Sequence, residues 1–317
     1  MIKVLVNDGM HPDGKTLLEE ANFSVDTNNI PQDELMSRLP DYDAVIVRSA
    51  TKIRKELIDQ CPNLKLIARG GVGMDNIDVE YARSKGIKVM NTPRASSQSV
   101  AELVIGHLFS LSRFLHRSYL EMPAEGQSAF KALKKSYAKG QLLRGKTLGI
   151  IGFGRIGQEL ASSAMGLGMK IIAFDIRKGT IDVPIQSPML KDQEVKVPID
   201  ISDMDTLLAH SDFISIHVPS TDKPILSSSE IAKMKKGVVL VNTARGGTID
   251  EDALLEGLNN GQVAAAGLDV FVNEPTPRID LLQHPKIACS PHIGASTVEA
   301  QRNIGLELAN GLCEHFK

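Results

Sequence analysis

The sequence predicts an α/β protein of two doubly wound domains, each a parallel sheet with helices on both faces. Three observations carry this reading. Short apolar runs of strand length alternate with helical patterns in the first third of the chain and again after residue 145, as parallel neighbours joined by crossovers require. A length of 317 residues exceeds one ordinary core and fits two domains. Gly152-Phe153-Gly154-Arg155-Ile156-Gly157 stands between the apolar run 148–151 and a helical pattern, and Asp175 closes the next apolar run about twenty residues on.

In chain order, residues 4–6, 44–47, 64–68 and 87–90 read as strands of the first domain, with helices between them. From Ser96 a long pattern sets Val100, Leu103, Val104, Leu108, Leu111 and Leu115 on one face, an amphipathic helix placed to join the domains. Residues 123–139 are polar and basic, and no element is assigned to them. Further strands are expected at 148–151, 171–174, 213–216, 238–241 and 263–266, completing the second domain. Between Lys178 and Asp203, Pro184, Pro188 and Pro198 interrupt regular structure, so an extended loop or ribbon is expected there. The stretch from Thr297 to His315 carries Ile304, Leu308 and Leu312 at helical spacing and predicts a docked terminal helix.

The glycine motif has a physical reading. Gly152 permits a tight turn, Gly154 lets the backbone approach a pyrophosphate, Gly157 lets helix and strand meet closely, and the helix N-terminus turns unpaired amides toward an anion. With a strand before it, a helix after it and an acid beyond, the motif is a dinucleotide-binding fingerprint. The Asp175 carboxylate can accept both ribose hydroxyls of NAD and repels a 2′-phosphate, so NAD is the expected cofactor, with Arg177 and Lys178 close enough to keep NADP as the alternative.

Composition excludes other classes. Lys plus Arg (36) nearly balance Asp plus Glu (38), a formal charge of −2, so no nucleic acid partner is expected. The N-terminal run is too short for a signal peptide and no stretch is long enough to cross a bilayer, so no membrane partner and a cytoplasmic location are expected. Cys61, Cys289 and Cys313 stand far apart without a CxxC pair, as suits reduced thiols. No HExxH or clustered Cys/His spacing occurs among the eight histidines, so no metal is expected.

In an open α/β sheet, ligands lie beyond the carboxyl ends of the strands, so polar residues following apolar runs are the first candidates. Asn242-Thr243-Ala244-Arg245-Gly246-Gly247 puts an arginine on a glycine-flanked turn, suited to a bidentate grip on a carboxylate. Gly267-Leu268-Asp269-Val270-Phe271 leads into Asn273-Glu274-Pro275, and Ser290-Pro291-His292-Ile293-Gly294 holds a histidine at a third strand end. An arginine, an acid and a histidine are what hydride transfer at a 2-hydroxy acid requires. His292 takes the hydroxyl proton as hydride leaves the same carbon, Glu274 holds the imidazolium, and Arg245 orients the carboxylate and polarises the carbonyl. Each residue alone has a structural explanation; together, downstream of the fingerprint, they form the leading candidate site.

These four segments, residues 152–157, 242–247, 269–275 and 290–294, closely resemble the D-isomer-specific 2-hydroxyacid dehydrogenase family, and the resemblance spans nearly the whole chain. It implies a Rossmann NAD-binding domain, residues 98–295, inserted into a flavodoxin-like substrate-binding domain, residues 1–97 and 296–317. It implies catalytic roles for Arg245, Glu274 and His292. Cofactor contacts are implied for Gly152, Gly154, Arg155, Ile156, Gly157, Asp175 and His217, with Asp269 near the nicotinamide carboxamide. A homodimer formed mainly through the cofactor domain is implied as well.

Within the family, the N-terminal third is most similar to the D-3-phosphoglycerate dehydrogenases, through residues 47–52, 69–78 and 90–93. This implies oxidation of D-3-phosphoglycerate to 3-phosphohydroxypyruvate, the first step of serine biosynthesis, and a phosphorylated 2-hydroxy acid as the small-molecule substrate. Arg48 and Arg69 both follow strand-like runs and suit a phosphate, the alternative being ordinary salt bridges. Successive amides at Gly71, Val72 and Gly73 can form a nest for the carboxylate. Lys134 and Lys135 are candidates for added positive charge from a neighbouring subunit. The competing readings are a glyoxylate or hydroxypyruvate reductase on the same scaffold, and a dinucleotide-sensing corepressor-like module that keeps the same Arg, Glu and His. Three departures from the family stand out. Arg94 follows Asn91-Thr92-Pro93 where relatives often carry a small or amide residue, and the Pro-containing stretch after Lys178 differs from the shorter connection expected. The sequence also stops at Lys317, so feedback through a C-terminal serine-binding domain is not expected.

Overall fold

All four apolar runs read in the first third are strands of one five-stranded parallel sheet in the computed structural model, which describes residues 1–185 and 193–317. Strands β1 (Lys3–Val6), β2 (Ser24–Asp26), β3 (Ala44–Val47), β4 (Leu66–Arg69) and β5 (Lys88–Asn91) lie in the order β2-β1-β3-β4-β5, every pair parallel. This is the flavodoxin-like order. Helices α1 (Pro12–Glu20), α2 (Leu35–Arg38), α3 (Lys55–Asp59) and α4 (Val79–Ser84) make the crossovers. Alternate residues of the central strands feed two cores. Leu5, Val45, Val47 and Ile67 pack with Leu35, Ile53 and Leu57, while Val4, Val6, Ile46 and Ala68 pack with Leu18, Ile304, Leu308 and Leu312. Burial on both faces is why these strands read as continuous apolar runs.

The terminal helix, Val298–His315, starts at a Thr297 N-cap that accepts from the Ala300 amide. Its three leucine and isoleucine positions are buried as their spacing predicts, each stabilising the fold by roughly 1.5–3 kcal/mol. It crosses α1 at glycines: a Cβ on Gly14 would stand 2.5 Å from the Gly305 carbonyl oxygen. This unit comprises Met1–Ser99 and Ala295–Lys317.

The second unit is Val100–Gly294. Its strands are β6 (Thr147–Ile151), β7 (Lys170–Phe174), β8 (Thr180–Ile185), β9 (Val195–Asp200), β10 (Phe213–Ile216), β11 (Val238–Asn242), β12 (Val263–Leu268) and β13 (Ile287–Cys289). Six of them form a parallel sheet in the order β13-β12-β11-β10-β6-β7, and β8 and β9 form a separate antiparallel ribbon. The strand order reverses between β6 and β10, so the fingerprint at the end of β6 sits at the topological switch point, where open sheets bind ligands. The helices are α5 (Ser97–Ser112), α6 (Leu115–Ser136), α7 (Arg155–Gly166), α8 (Met204–His210), α9 (Ser228–Lys233), α10 (Glu251–Asn260) and α11 (Ile279–Leu282).

Two expectations change here and a third is narrowed. The amphipathic helix ends before Leu115: Phe114 adopts a left-handed conformation (φ 57°), and Leu115, 51% exposed, opens a new helix. Residues 123–136, left without an element, belong to that helix. Pro123 argued against it, but Glu, Lys, Ala and Leu around the proline are good helix formers, and the helix bends at Ala129. Between Lys178 and Asp203 the ribbon form of the expectation holds. Pro184 and Pro198 are tolerated because a two-stranded ribbon has only edge strands, where a missing N–H is cheap. Pro188 lies outside the described residues.

Candidate active site

The fingerprint turn is built by close backbone approach. Gly152 has φ +92°, and a Cβ there would stand 2.7 Å from the His217 carbonyl oxygen at the end of β10. A Cβ on Gly157 would stand 2.5 Å from the Gly152 carbonyl oxygen, so the first turn of α7 rests on the loop itself. Gly154 is the N-cap of α7, has no side chain to cap the helix, and faces open space. The first-turn amides, including those of Arg155 and Ile156, are thus left for an external anion.

Asp175, just after β7, is tied to the same turn, its Oδ2 accepting the Phe153 amide at 2.8 Å. Arg177 folds back onto the carboxylate, donating its amide and Nε to Oδ1 and Nη2 to Oδ2, each at 3.0 Å. The guanidinium, helped by the two amides, holds the Asp175 pKa down to about 2. A glycine cradle, uncovered helix amides and an ionised acid fit a dinucleotide, and Arg177, one of the two cations that kept NADP open, is already paired with Asp175. His217 meets the cradle through its carbonyl rather than its ring. The ring Nε2 lies 2.9 Å from Ser215 Oγ, Nδ1 is shut off from solvent without a hydrogen bond, and burial pushes the pKa down to about 3.

β11, β12 and β13 are adjacent, so the segments that follow them emerge side by side. Asn242 closes the first loop: its Oδ1 accepts the Ala244 amide, and its Nδ2 donates to the Arg245 carbonyl and Thr248 Oγ1. A Cβ on Gly246 would stand 2.0 Å from the Phe271 carbonyl oxygen, so only glycine lets the segment after β12 cross this turn. That segment delivers Glu274, whose Oε1 accepts the Phe271 amide at 3.0 Å and whose Oε2 is 2.7 Å from His292 Nδ1. With Nδ1 engaged, Nε2 is the nitrogen left for a substrate.

His292 has φ +53°, an uncommon conformation for a non-glycine residue, and its amide donates to the Asp269 carbonyl at 2.8 Å. Asp269, expected near the nicotinamide, is fully buried, and both of its carboxylate oxygens accept hydrogen bonds from the segment that follows β13. Oδ1 accepts Ser290 Oγ at 2.6 Å and the Ile293 amide at 2.9 Å, and Oδ2 accepts the Gly294 amide at 2.9 Å. Its work is to fasten the His292 loop.

In the other unit, Arg48 and Arg69 stand at the ends of β3 and β4. Asp8 and Asn76 shape the loop after β3. Asp8 Oδ2 accepts the amides of Arg48 and Thr51, and Asn76 Nδ2 donates to the carbonyls of Arg48 and Thr51. Arg48 is half-buried, and its guanidinium makes no ion pair or hydrogen bond with the described residues. The Arg69 guanidinium lies over Gly71 (φ +144°), where a Cβ would stand 1.9 Å from Nη1. The nest loses a member, because the Gly71 amide donates to the Arg69 carbonyl at 3.0 Å; Val72 and Gly73 remain. Arg94 is exposed, as are Lys134 and Lys135 in the last turn of α6.

Sequence reasoning gave no role to Asp8, Asn76, Asn242 or Ser290. Asp8 follows an apolar run just as Arg48 does, and the strand-end rule applied to acids as well as bases finds it.

Residues 105–294 match the family model of the D-isomer specific 2-hydroxyacid dehydrogenase, NAD binding domain. The hydroxypyruvate reductase of Thermotoga maritima is 48% identical over 96% of this chain and 95% of its own length. The D-3-phosphoglycerate dehydrogenases of Methanocaldococcus jannaschii and Bacillus subtilis are 40% and 38% identical. They cover 98% and 100% of this chain but 56% and 57% of their own, so the chain spans about half the length of these relatives. Among solved structures, a glyoxylate reductase from Paecilomyes thermophila is 30% identical with a TM-score of 0.83, covering 100% of this chain and 95% of its own. The TT0316 protein of Thermus thermophilus is 29% identical, also with a TM-score of 0.83, covering 100% and 98%.

Proposed function

The chain belongs to the D-isomer specific 2-hydroxyacid dehydrogenases, NAD-dependent oxidoreductases, and from that premise we propose that it interconverts D-3-phosphoglycerate and 3-phosphohydroxypyruvate. The observation that carries the choice of substrate is Arg48. The half-buried Arg48 stands at a strand end with no ion pair among the described residues, which supports an anionic group of the ligand as its partner, and its planar fork suits a phosphate. Arg69 and the Val72 and Gly73 amides supply further donors beside it.

The chemistry falls to the other unit. In the oxidative direction His292 Nε2 accepts the C2 hydroxyl proton, and in the reductive direction the imidazolium returns it. Glu274, across Nδ1, fixes the ring's orientation and stabilises its charged form. Arg245 holds the substrate carboxylate and steadies the oxygen at C2 as it gains carbonyl character. When bound, NAD supplies the carbon that accepts the C2 hydride. Gly152, Gly154, Gly157 and the amides of Arg155 and Ile156 would hold its pyrophosphate, and Asp175 its ribose.

The same reading places the protein in serine biosynthesis, as a cytoplasmic homodimer paired through the Val100–Gly294 unit. Support comes from the family resemblance. No helix of the described residues is long and apolar enough to cross a membrane.

A second reading, hydroxypyruvate reduction, is favoured by the 48% identical relative, which matches this chain over almost its whole length. The test is NADH oxidation by the purified protein with 3-phosphohydroxypyruvate, hydroxypyruvate, glyoxylate and pyruvate in parallel. A large kcat/KM preference for the phosphorylated acid supports the first reading. Equal or better rates with the unphosphorylated acids transfer the assignment to the second.

A further inference from the structure

Behind the His292 loop lies another histidine that the chemistry above does not use. His107, on α5, is 6% exposed, and its Nε2 is 3.1 Å from Ser290 Oγ. The Ser290 hydroxyl has one proton, and at 2.6 Å it gives it to Asp269 Oδ1. Ser290 therefore accepts from His107, and the ring is the Nε2–H tautomer. A place has been cleared for this ring on β12. A Cβ on Gly267 would stand 2.9 Å from His107 Cγ and Nδ1, so the strand omits a side chain there. Burial pushes the His107 pKa below its ordinary value, against the pull of Asp269.

We propose that His107 is a positioning residue for proton transfer, holding His292 in place through Ser290 and Asp269. The inference rests on the reading of His292 as the acid/base. His292 occupies left-handed backbone space, which for a side chain of this size persists only when its surroundings over-determine it. The surroundings are three bonds to Asp269, from the amides of His292, Ile293 and Gly294. The Asp269 carboxylate keeps its orientation through the Ile293 and Gly294 amides and through Ser290, whose hydroxyl rotor is set by His107, while the His292 amide bonds the Asp269 backbone carbonyl. A chain of single hydrogen bonds thus runs from α5 to the backbone of the catalytic loop, and breaking its first link lets the last one drift.

The test compares His107→Phe, which keeps a ring and loses the donor, with His107→Gln, whose amide nitrogen takes over the place of Nε2. NADH oxidation is measured with whichever of 3-phosphohydroxypyruvate, hydroxypyruvate and glyoxylate the wild type reduces fastest. The expected result is a kcat about tenfold lower in His107→Phe, with KM for the keto acid and Kd for NADH within about twofold, and recovery to within about threefold in His107→Gln. Ser290→Ala reproduces the loss, and the double variant His107→Phe/Ser290→Ala is no worse than either single change. A wild-type kcat in His107→Phe overturns the proposal, as do equal losses with Phe and Gln, or losses that add in the double variant. If His107→Phe does not fold, Ser290→Ala against Ser290→Thr carries the same comparison, with the threonine hydroxyl expected to restore turnover. His292→Gln separates the two levels. Retained turnover in that variant removes the acid/base reading and this inference with it, whereas an inactive His292→Gln beside a normal His107→Phe removes this inference alone.

Discussion

Replacing Glu274 with glutamine isolates one charge in the site. The amide keeps the size of the side chain and can still accept the Phe271 amide, but it no longer places a negative charge 2.7 Å from His292 Nδ1. What is lost is the attraction between a carboxylate and the imidazolium that forms as the C2 hydroxyl gives up its proton. The charge centres are about 4 Å apart, where the interaction is about 1 kcal/mol in water and about 4 kcal/mol at the effective dielectric near a protein surface. The two side chains are 41% and 36% exposed, which places the pair between these limits, at about 2 kcal/mol. Glu274→Gln is therefore expected to lower kcat for oxidation about thirtyfold, with the Kd for NAD unchanged. The assay is steady-state NADH formation at saturating cofactor and hydroxy acid, with Kd from calorimetry. A kcat within threefold of wild type would show that the ion pair is incidental to the chemistry.

Three further outcomes follow from the geometry. Gly246→Ala sets a Cβ 2.0 Å from the Phe271 carbonyl oxygen, so the segment carrying Glu274 must move by about 1 Å; kcat should fall on the order of a hundredfold, and a fall of less than fivefold would show that the crossing is not needed. Gly152→Ala combines φ +92° with a Cβ 2.7 Å from the His217 carbonyl oxygen, and calorimetry should find NADH binding lost together with about 1–3 kcal/mol of stability, whereas wild-type affinity would contradict the account of the turn. The Asp175 pKa is lowered in the folded state, so its pairing with Arg177 contributes stability above the unfolded value near 3.8 and loses it as the pH falls through about 2; urea unfolding of Arg177→Gln should show a deficit of about 1 kcal/mol at pH 7, discounted for the exposure of Arg177, that falls to about half at pH 2.5, and a deficit independent of pH would refute the pairing.

Much of this was legible in the sequence because parallel strands buried on both faces write themselves as unbroken apolar runs. The fingerprint glycines and the Glu274–His292 pair follow strand ends, and the topology gathers strand ends. β2 escaped because Ser24-Val25-Asp26 is a short edge strand with one apolar residue, too little for any pattern. α6 escaped because Pro123 is a stronger local signal than the helix formers around it. The motifs of Asp269 and Gly71 show nothing of the bonds these residues make within the protein, Asp269 to the His292 loop and the Gly71 amide to the Arg69 carbonyl. Which partner a polar group chooses depends on residues distant in sequence, such as Ser290 for Asp269, and periodicity carries no trace of that choice. His107 was invisible for the same reason, since the spacing of Val100, Leu103, Val104, Leu108 and Leu111 marks a buried face and says nothing of a polar side chain beside it.

The most direct test of the central claim is the ratio of kcat/KM for 3-phosphohydroxypyruvate to that for hydroxypyruvate, measured in the wild type and in Arg48→Gln. A guanidinium that binds the phosphate predicts a ratio well above one in the wild type that falls by about tenfold to a hundredfold in the variant, through KM and with kcat nearly constant. A ratio near or below one in the wild type, or one that Arg48→Gln leaves in place, would contradict the phosphate site and leave a dehydrogenase of unphosphorylated acids.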